Sequence, residues 1–535
     1  MKARTPYSLR LRTLYLFAGL LALPIAPRVH AQPASPSGSA LRKDIDGWRR
    51  VNERAVLDEA FTLFAMPNLA SDSVAIRRVA THLITSFAAR GFTTDLLESP
   101  SGGPPAVYAE KLLPGAARTI VLYAHYDGQP VAGAPWDGDP FGPTLRKMQN
   151  GVAGEQVALP RAGETVDPNL RIYSRSASDD KGPIIAMLAA FDALAATQHA
   201  PAVNVKIFLE GEEEAGSRHL GDLLRAHRER LAADAWFFMD GPVHVSGAPQ
   251  IVLGVRGVVG LEITLYGPNR PLHSGHYGNW APNPAVAAAH LVASMRDRNG
   301  SITISGFHDD VRAATVNELT AARTLSTTDD SVRTSLGLTR TESDGAALGE
   351  RIMQPALNVR GIRAGSSGAT ATNSIPTSAN ISIDFRLVPD QSPARLRDVV
   401  TAHVRAQGYE VVGDPAAIGT RTDRERVALV QWDEGYRSVR TAFETPVIAA
   451  LQQVMRDVYG RAPLMAPTLG GSLPLFHFAD VFDAPLVTLP TVNADNNQHA
   501  PNENLRVGNL WDAMALVAAL VTELPRVWGG LTVVP

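Results

Sequence analysis

The sequence predicts an α/β protein, a mostly parallel sheet with helices on both faces, plus an inserted smaller α+β sandwich. Three observations predict it. Short apolar, β-rich runs alternate with helical periodicity between residues 118 and 240, and that rhythm builds a parallel sheet with helices packed on it. Each of those runs ends in acids or histidine, at the sheet edge where open α/β folds bind ligands. The pattern then changes after about 250 and resumes near 444.

Taken in order, helical periodicity covers 44–66 and 72–90, the second helix stopping at Gly91. The run RTIVLYAHYD at 118–127 reads as a strand. A long Gly/Pro-rich loop leads to a helix within 176–197 that opens on SASDDKG. Strand 203–210, a helix over about 217–231 and strand 235–240 complete the rhythm. Segment 251–267 is apolar on both faces and starts the second unit. Helix 284–297, a polar stretch from about 300 to 360, strand 379–389, helix 392–407 and strand 409–414 follow. The first pattern returns with helix 444–458, strand 485–491 and helix 506–523. The domain reading is a catalytic part at 43–250, an insert at 251–440 and a second catalytic part at 441–535.

Composition sets the class. The chain has 535 residues, 45% hydrophobic and 19% charged, enough for a large core and too apolar for global disorder. Residues 1–31 have a basic start, an apolar middle and small residues at Val29 and Ala31, the layout of a secretory signal peptide. Its apolar part is shorter than the roughly 20 residues a membrane span needs. Cleavage there would remove five basic residues and no acid, taking the formal charge from −3 to −8. Residues 32–42 read as a flexible leader. The expectation is an exported protein, periplasmic or secreted, without stable membrane insertion. Its acidity argues against nucleic acid as a partner. With no cysteine there is no disulfide, no thiol nucleophile and no thiolate metal site.

The chemistry gathers at the strand ends. His125 and Asp127 lie in AHYDGQP, Asp179 and Asp180 in SASDDKG, Glu213 and Glu214 in GEEEAGS, and Asp240 in FFMDGP; His499 lies in NNQHAPNE. A parallel sheet brings these ends to one rim. So many carboxylates in one crevice repel one another unless cations hold them. Imidazole and carboxylate without Cys suit zinc, and admit manganese or cobalt.

These motifs, in this order, resemble those of the dizinc exopeptidase family of carnosinases, aminoacylases, carboxypeptidase G and succinyl-diaminopimelate desuccinylase. AHYDGQP, RSASDDKGP, LEGEEEAGS, PLHSGHYGN and NQHAPNEN carry the resemblance over about 50–530. HSGHYGN, FRLVPDQ and GGSLP place it nearest the carnosinase-like dipeptidases. The resemblance implies a zinc exopeptidase-like fold whose insert serves as lid and dimerisation domain, two divalent ions, and a homodimer. It implies that His125 and Asp240 hold one ion, Glu214 and His499 the other, and Asp179 bridges them. Asp127 would orient His125, and Glu213 would act as general base and acid on a metal-bound water. His273 of the H-S-G motif would reach the partner subunit's active site and stabilise the oxyanion. Asn373, Arg386 and Ser472 would contact substrate, Arg386 by clamping its carboxylate.

The sequence departs from that pattern in places. Ser176 stands where the family's R-G-x-x-D has glycine, and Leu469 stands where the dipeptidase branch has Glu before Gly-Gly-Ser. Three readings follow. The first is a metallopeptidase acting on a dipeptide or short peptide. The second is an amidohydrolase that deacylates an N-acyl amino acid or related conjugate. The third is a binding protein with a dead site, which the intact set of seven residues opposes.

Overall fold

The computed structural model describes residues 40–528 apart from 132, 134, 150, 343, 344, 419–424 and 472. The expected signal peptide and Ser472 lie outside the described residues. A helix, Ala40–Phe64, already begins within the expected leader.

An eight-stranded sheet organises the catalytic part. Its strands run in the order Thr93–Leu97, Ala106–Lys111, Asn204–Glu210, Thr119–His125, Ala235–Phe238, Leu486–Thr488, Gln250–Val252 and Leu464–Ala466. The four central strands are mutually parallel, and the first two are antiparallel additions. Strand Thr119–His125 shows why the sequence makes a buried central strand. Ile120, Leu122 and Ala124 face one hydrophobic cluster, while Val121 and Tyr123 face another. That is the two-fold alternation of a strand buried on both faces. Helices Ala40–Phe64, Lys181–Ala196 and Val507–Thr522 supply the first cluster. Leu220–Ala226 and Leu475–Val481 supply the second. Among the described residues no helix is long and apolar enough to cross a membrane.

The insert has its own core. Strands Ala356–Ala364, Ser378–Leu387, Gly257–Tyr266, Val427–Trp432 and Glu410–Val412 form a five-stranded sheet in that order. Ala379, Ile381, Ile383, Phe385 and Leu387 alternate inward, toward helices Pro284–Met295 and Pro393–Ala406. Segment 251–267 is not one element. Gln250–Val252 pairs in the large sheet, whereas Gly257–Tyr266 is the middle strand of the small one. The chain passes from one core to the other between them. The polar stretch from 300 to 360 is also structured, with helices Val316–Leu325, Asp329–Ser335 and Leu348–Ile352.

Register fixes the functional rim. His125 pairs with Glu210 and Tyr123 with Phe238. The chain therefore leaves the three central strands at one level, beside one another, at His125, Gly211 and Met239.

Candidate metal centre

Two clusters of ligand atoms form at that rim. His125, Asp180 and Asp240 offer one set, and Asp179, Glu214 and His499 the other, the atoms of each set lying within 4.8 Å of one another. Asp179 links them. Its Oδ1 lies 2.8 Å from His125 Nε2 and its Oδ2 lies 3.1 Å from His499 Nε2. His499 Nε2 is also 3.2 Å from Glu214 Oε2. Gln498 donates to Asp179 Oδ2 at 3.0 Å, and Gln129 donates to Glu214 Oε2 at 2.7 Å.

Asp127 does more than sit beside an imidazole. Its Oδ1 lies 3.4 Å from His125 Nδ1, within ion-pair distance. Its two oxygens accept the N–H groups of Glu213 and Glu214, at 3.1 and 3.0 Å. A buried carboxylate thus caps the short 3₁₀ turn Glu213–Ala215 and fixes both glutamates by their backbone. Adjacent residues in such a turn point differently, so one can serve a cation and the next a reacting group.

Glu212, to which the sequence assigns no task, pairs with His219 Nδ1 at 2.9 Å and accepts the His219 N–H at 3.1 Å. That anchors the start of helix Leu220–Ala226.

Electrostatics show what the cluster lacks. Burial, then the neighbouring Asp179 charge, pushes the Asp240 carboxyl up to about 7. Burial also lifts Glu213 well above the carboxylate range, with Asp240, Glu210 and Glu214 adding to it and His125 opposing. His499 is pushed up to about 10 by its contacts with Asp179 and Glu214. Asp180 Oδ1 is buried with no hydrogen-bond partner among the described residues, although such orphans are rare. Each of these strains is relieved by divalent cations among nitrogen and oxygen donors. The residues fit such ions.

Sequence reasoning missed Glu503, which is fully buried. Its carboxylate accepts from the backbone N–H of Ser176, Ser178 and Asp179, from Ser178 Oγ and from Arg175 Nη1, all between 2.7 and 3.0 Å. The available signal was that Glu503 closes the quoted NNQHAPNE motif and Arg175 opens RSASDDKGP.

The substitution at Ser176 is accommodated locally. Its φ is +60°, a region that favours glycine. Asn68 Nδ2 donates to its hydroxyl at 3.0 Å, a side-chain bond of the kind that steadies such a turn.

The other expected residues lie on the insert. His273 pairs in register with Ser374, and the Ser274 N–H donates to the Asn373 carbonyl, so His273 and Asn373 share one exposed corner. Within one chain neither makes a hydrogen bond with the carboxylate cluster among the described residues. Arg386 lies on strand Ser378–Leu387, 4.0 Å from Asp384.

A rim of imidazoles and carboxylates at the C-terminal edge of a parallel sheet, in a chain without cysteine, defines a metal-dependent hydrolase. Residues 121–523 match the model of the peptidase family M20/M25/M40, and the chain belongs to that family. It is 26% identical over 430 residues to the Cys-Gly metallodipeptidase dug1 of Schizosaccharomyces pombe, covering 79% of this chain and 83% of the relative. It is 24% identical over 484 residues to the Beta-Ala-His dipeptidase of Rattus norvegicus, covering 88% and 92%. Among solved structures, an M20 family metallo-carboxypeptidase from Sulfolobus solfataricus superposes with a TM-score of 0.71 at 27% identity, over 88% of this chain and 99% of that one. Human carnosine dipeptidase 1 shares the fold, with a TM-score of 0.66 at 22% identity over 91% and 100%.

Proposed function

We propose that the chain is a metallo-exopeptidase that hydrolyses the amide bond of a dipeptide or short peptide. The observation that carries this reading is the junction at Asp179, where one carboxylate faces both His125 and His499 while Asp127 holds Glu213 and Glu214 beside it. Three of the four proteins named above are dipeptidases and the fourth is a carboxypeptidase, which favours a peptide over an N-acyl amino acid.

In this reading His125 and Asp240 would hold one divalent ion and Glu214 and His499 the other, with Asp179 shared between them. Zinc suits the donors, and manganese or cobalt would also be accepted. The bound ions supply Lewis acidity and a water of lowered pKa. Glu213 takes the proton of the attacking water and returns it to the leaving amine. Asp127 positions Glu213 and Glu214 and orients His125. Arg386 receives the substrate carboxylate bidentately, with Asn373 and Ser472 as further contacts. His273 donates to the oxyanion in the partner's site, which requires a homodimer. Export to the periplasm or beyond completes the proposal, and cell fractionation of the full chain checks it.

The test is hydrolysis by residues 32–535 loaded with zinc or manganese. Dipeptides should be cleaved faster than tripeptides and N-acyl amino acids, and a chelator should abolish the activity. Hydrolysis unaffected by chelation would end the reading.

A further inference from the structure

The segment that follows helix Ala40–Phe64 touches two of the loops that carry the expected ligands. Asn68 lies in it and is fully buried. Its Nδ2 donates twice, to the Tyr126 carbonyl at 2.8 Å and to Ser176 Oγ at 3.0 Å. Tyr126 stands between His125 and Asp127, and Ser176 stands three residues before Asp179. A single amide therefore spans two turns that are far apart in sequence.

The main chain repeats the link. The Gly128 N–H donates to the Asn68 carbonyl at 3.0 Å. A side chain at Gly128 would collide with Ser176 Oγ and would meet Asn68 Nδ2 at 3.0 Å and Oδ1 at 3.2 Å. The turn after Asp127 is thus seated directly on the Asn68–Ser176 pair. On the far side of Asp179, the fully buried Lys181 donates from Nζ to the carbonyls of Leu63 and Met66, at 3.2 and 2.7 Å. The segment 63–68 is therefore fastened to the Asp179 loop both before and after that aspartate.

None of these bonds completes a helix or a strand. The Tyr126 carbonyl lies just past strand Thr119–His125, and Ser176 lies before helix Lys181–Ala196. Both groups sit in turns, where a buried carbonyl that loses its donor is costly. The two turns also carry like charge, Asp127 on one and Asp179 with Asp180 on the other. Before ions arrive, that repulsion pushes them apart. A neutral amide opposes it without adding a charge and without occupying a ligand atom. Ions then meet groups already spaced for them, which favours binding.

We propose that Asn68 is a positioning residue of the metal centre, a neutral buckle that holds the turn of His125 and Asp127 against the loop of Asp179 before any ion binds. This rests on the metal reading above and adds to it a residue that, among the described residues, makes no hydrogen bond to the side chain of an expected ligand. Ser176, where the chain departs from the family's glycine, is the other half of the buckle. Its hydroxyl is what the position gains by holding serine at a φ of +60°.

The test uses chain 32–535 stripped with a chelator and reloaded. Competition with a chromogenic chelator reads zinc affinity. The visible absorption of the cobalt-loaded protein reads the number and geometry of its ligands. Asn68→Asp keeps the size of the side chain, loses both donors and adds a charge. Zinc affinity at least about tenfold lower is expected, with an altered cobalt spectrum. Ser176→Gly removes the hydroxyl without straining the backbone, and affinity about fivefold lower is expected. Should Asn68→Asp not fold, Ser176→Gly decides. Wild-type affinity and an unchanged cobalt spectrum in either folded variant overturn the assignment, even where the melting temperature falls, because a purely structural role gives that result. A wild-type chain that takes up neither zinc nor cobalt overturns the metal reading and the buckle with it. Binding that the variants share with wild type overturns the buckle alone.

Discussion

Glu503 Oε1 accepts the backbone N–H of Asp179 at 2.9 Å. Through that bond the C-terminal loop, which carries His499, is tied to the loop that carries the expected bridging carboxylate. The same carboxylate pairs with the buried Arg175 at 2.7 Å. Glu503→Gln keeps the shape, loses the charge and turns an amide nitrogen toward N–H donors. Removing one partner of a buried pair costs about 3–5 kcal/mol, so a lowered melting temperature is expected. Metal affinity should fall about 10- to 100-fold, as when a residue that orients ligands is lost. Competition with a chromogenic chelator measures it. Unchanged affinity would show that the Asp179 loop holds itself.

Metal loading should release protons. His499 is held up to about 10 and Asp240 up to about 7, and each must be deprotonated to bind an ion. Zinc added to chelator-treated protein at pH 6.5 should therefore expel at least about two protons per chain. Calorimetric titration in buffers of different ionisation enthalpy reads the number. No release would mean that these two groups are not ligands.

Glu210 gives a pH dependence of stability. It is buried, and Tyr123 Oη donates to its Oε2 at 2.8 Å. Burial raises its carboxyl to about 7. A carboxyl raised in the folded state contributes stability that is complete below its unfolded value near 4.5 and is lost as pH rises through about 7. The full difference is about 3 kcal/mol. In metal-free protein, Glu210→Gln should match wild type at pH 5 and be the more stable at pH 8. Thermal melts at both values test this, and an equal difference at the two pH values would contradict it.

His273 is exposed on the insert, so its expected role depends on a second subunit. His273→Ala should reduce kcat at least about 100-fold, the scale of losing an oxyanion donor, while metal content stays unchanged. Mixing it with a metal-loaded Glu213→Gln protein should restore activity, because mixed dimers contain one complete site. No recovery after verified subunit exchange would refute the cross-subunit role.

Much of this site was legible because strands announce themselves. The runs ending at His125, Glu210 and Asp240 are apolar, β-rich and closed by polar residues, and the parallel sheet then places their ends together. The rest hid for physical reasons. Gln250–Val252 and Gly257–Tyr266 form one apolar stretch in sequence, and only pairing assigns them to different sheets. Strand Ala356–Ala364 is an edge with mostly exposed side chains, so it lacks an apolar alternation. The helices of the polar segment bury few residues and leave a weak periodic signal. Glu503 and Asp127 act on backbone N–H groups, contacts that no side-chain motif encodes. Glu212 is held by His219, a partner seven residues on that no quoted motif includes as a pair.

The central claim is that Glu213 moves the proton while its neighbours hold the ions. Glu213→Gln, loaded with zinc, tests it in one preparation by metal analysis and steady-state hydrolysis of a dipeptide. The expected result is an unchanged metal content with kcat lowered at least about 100-fold, the scale of a lost general base. A fully loaded variant that turns over at the wild-type rate would contradict the account.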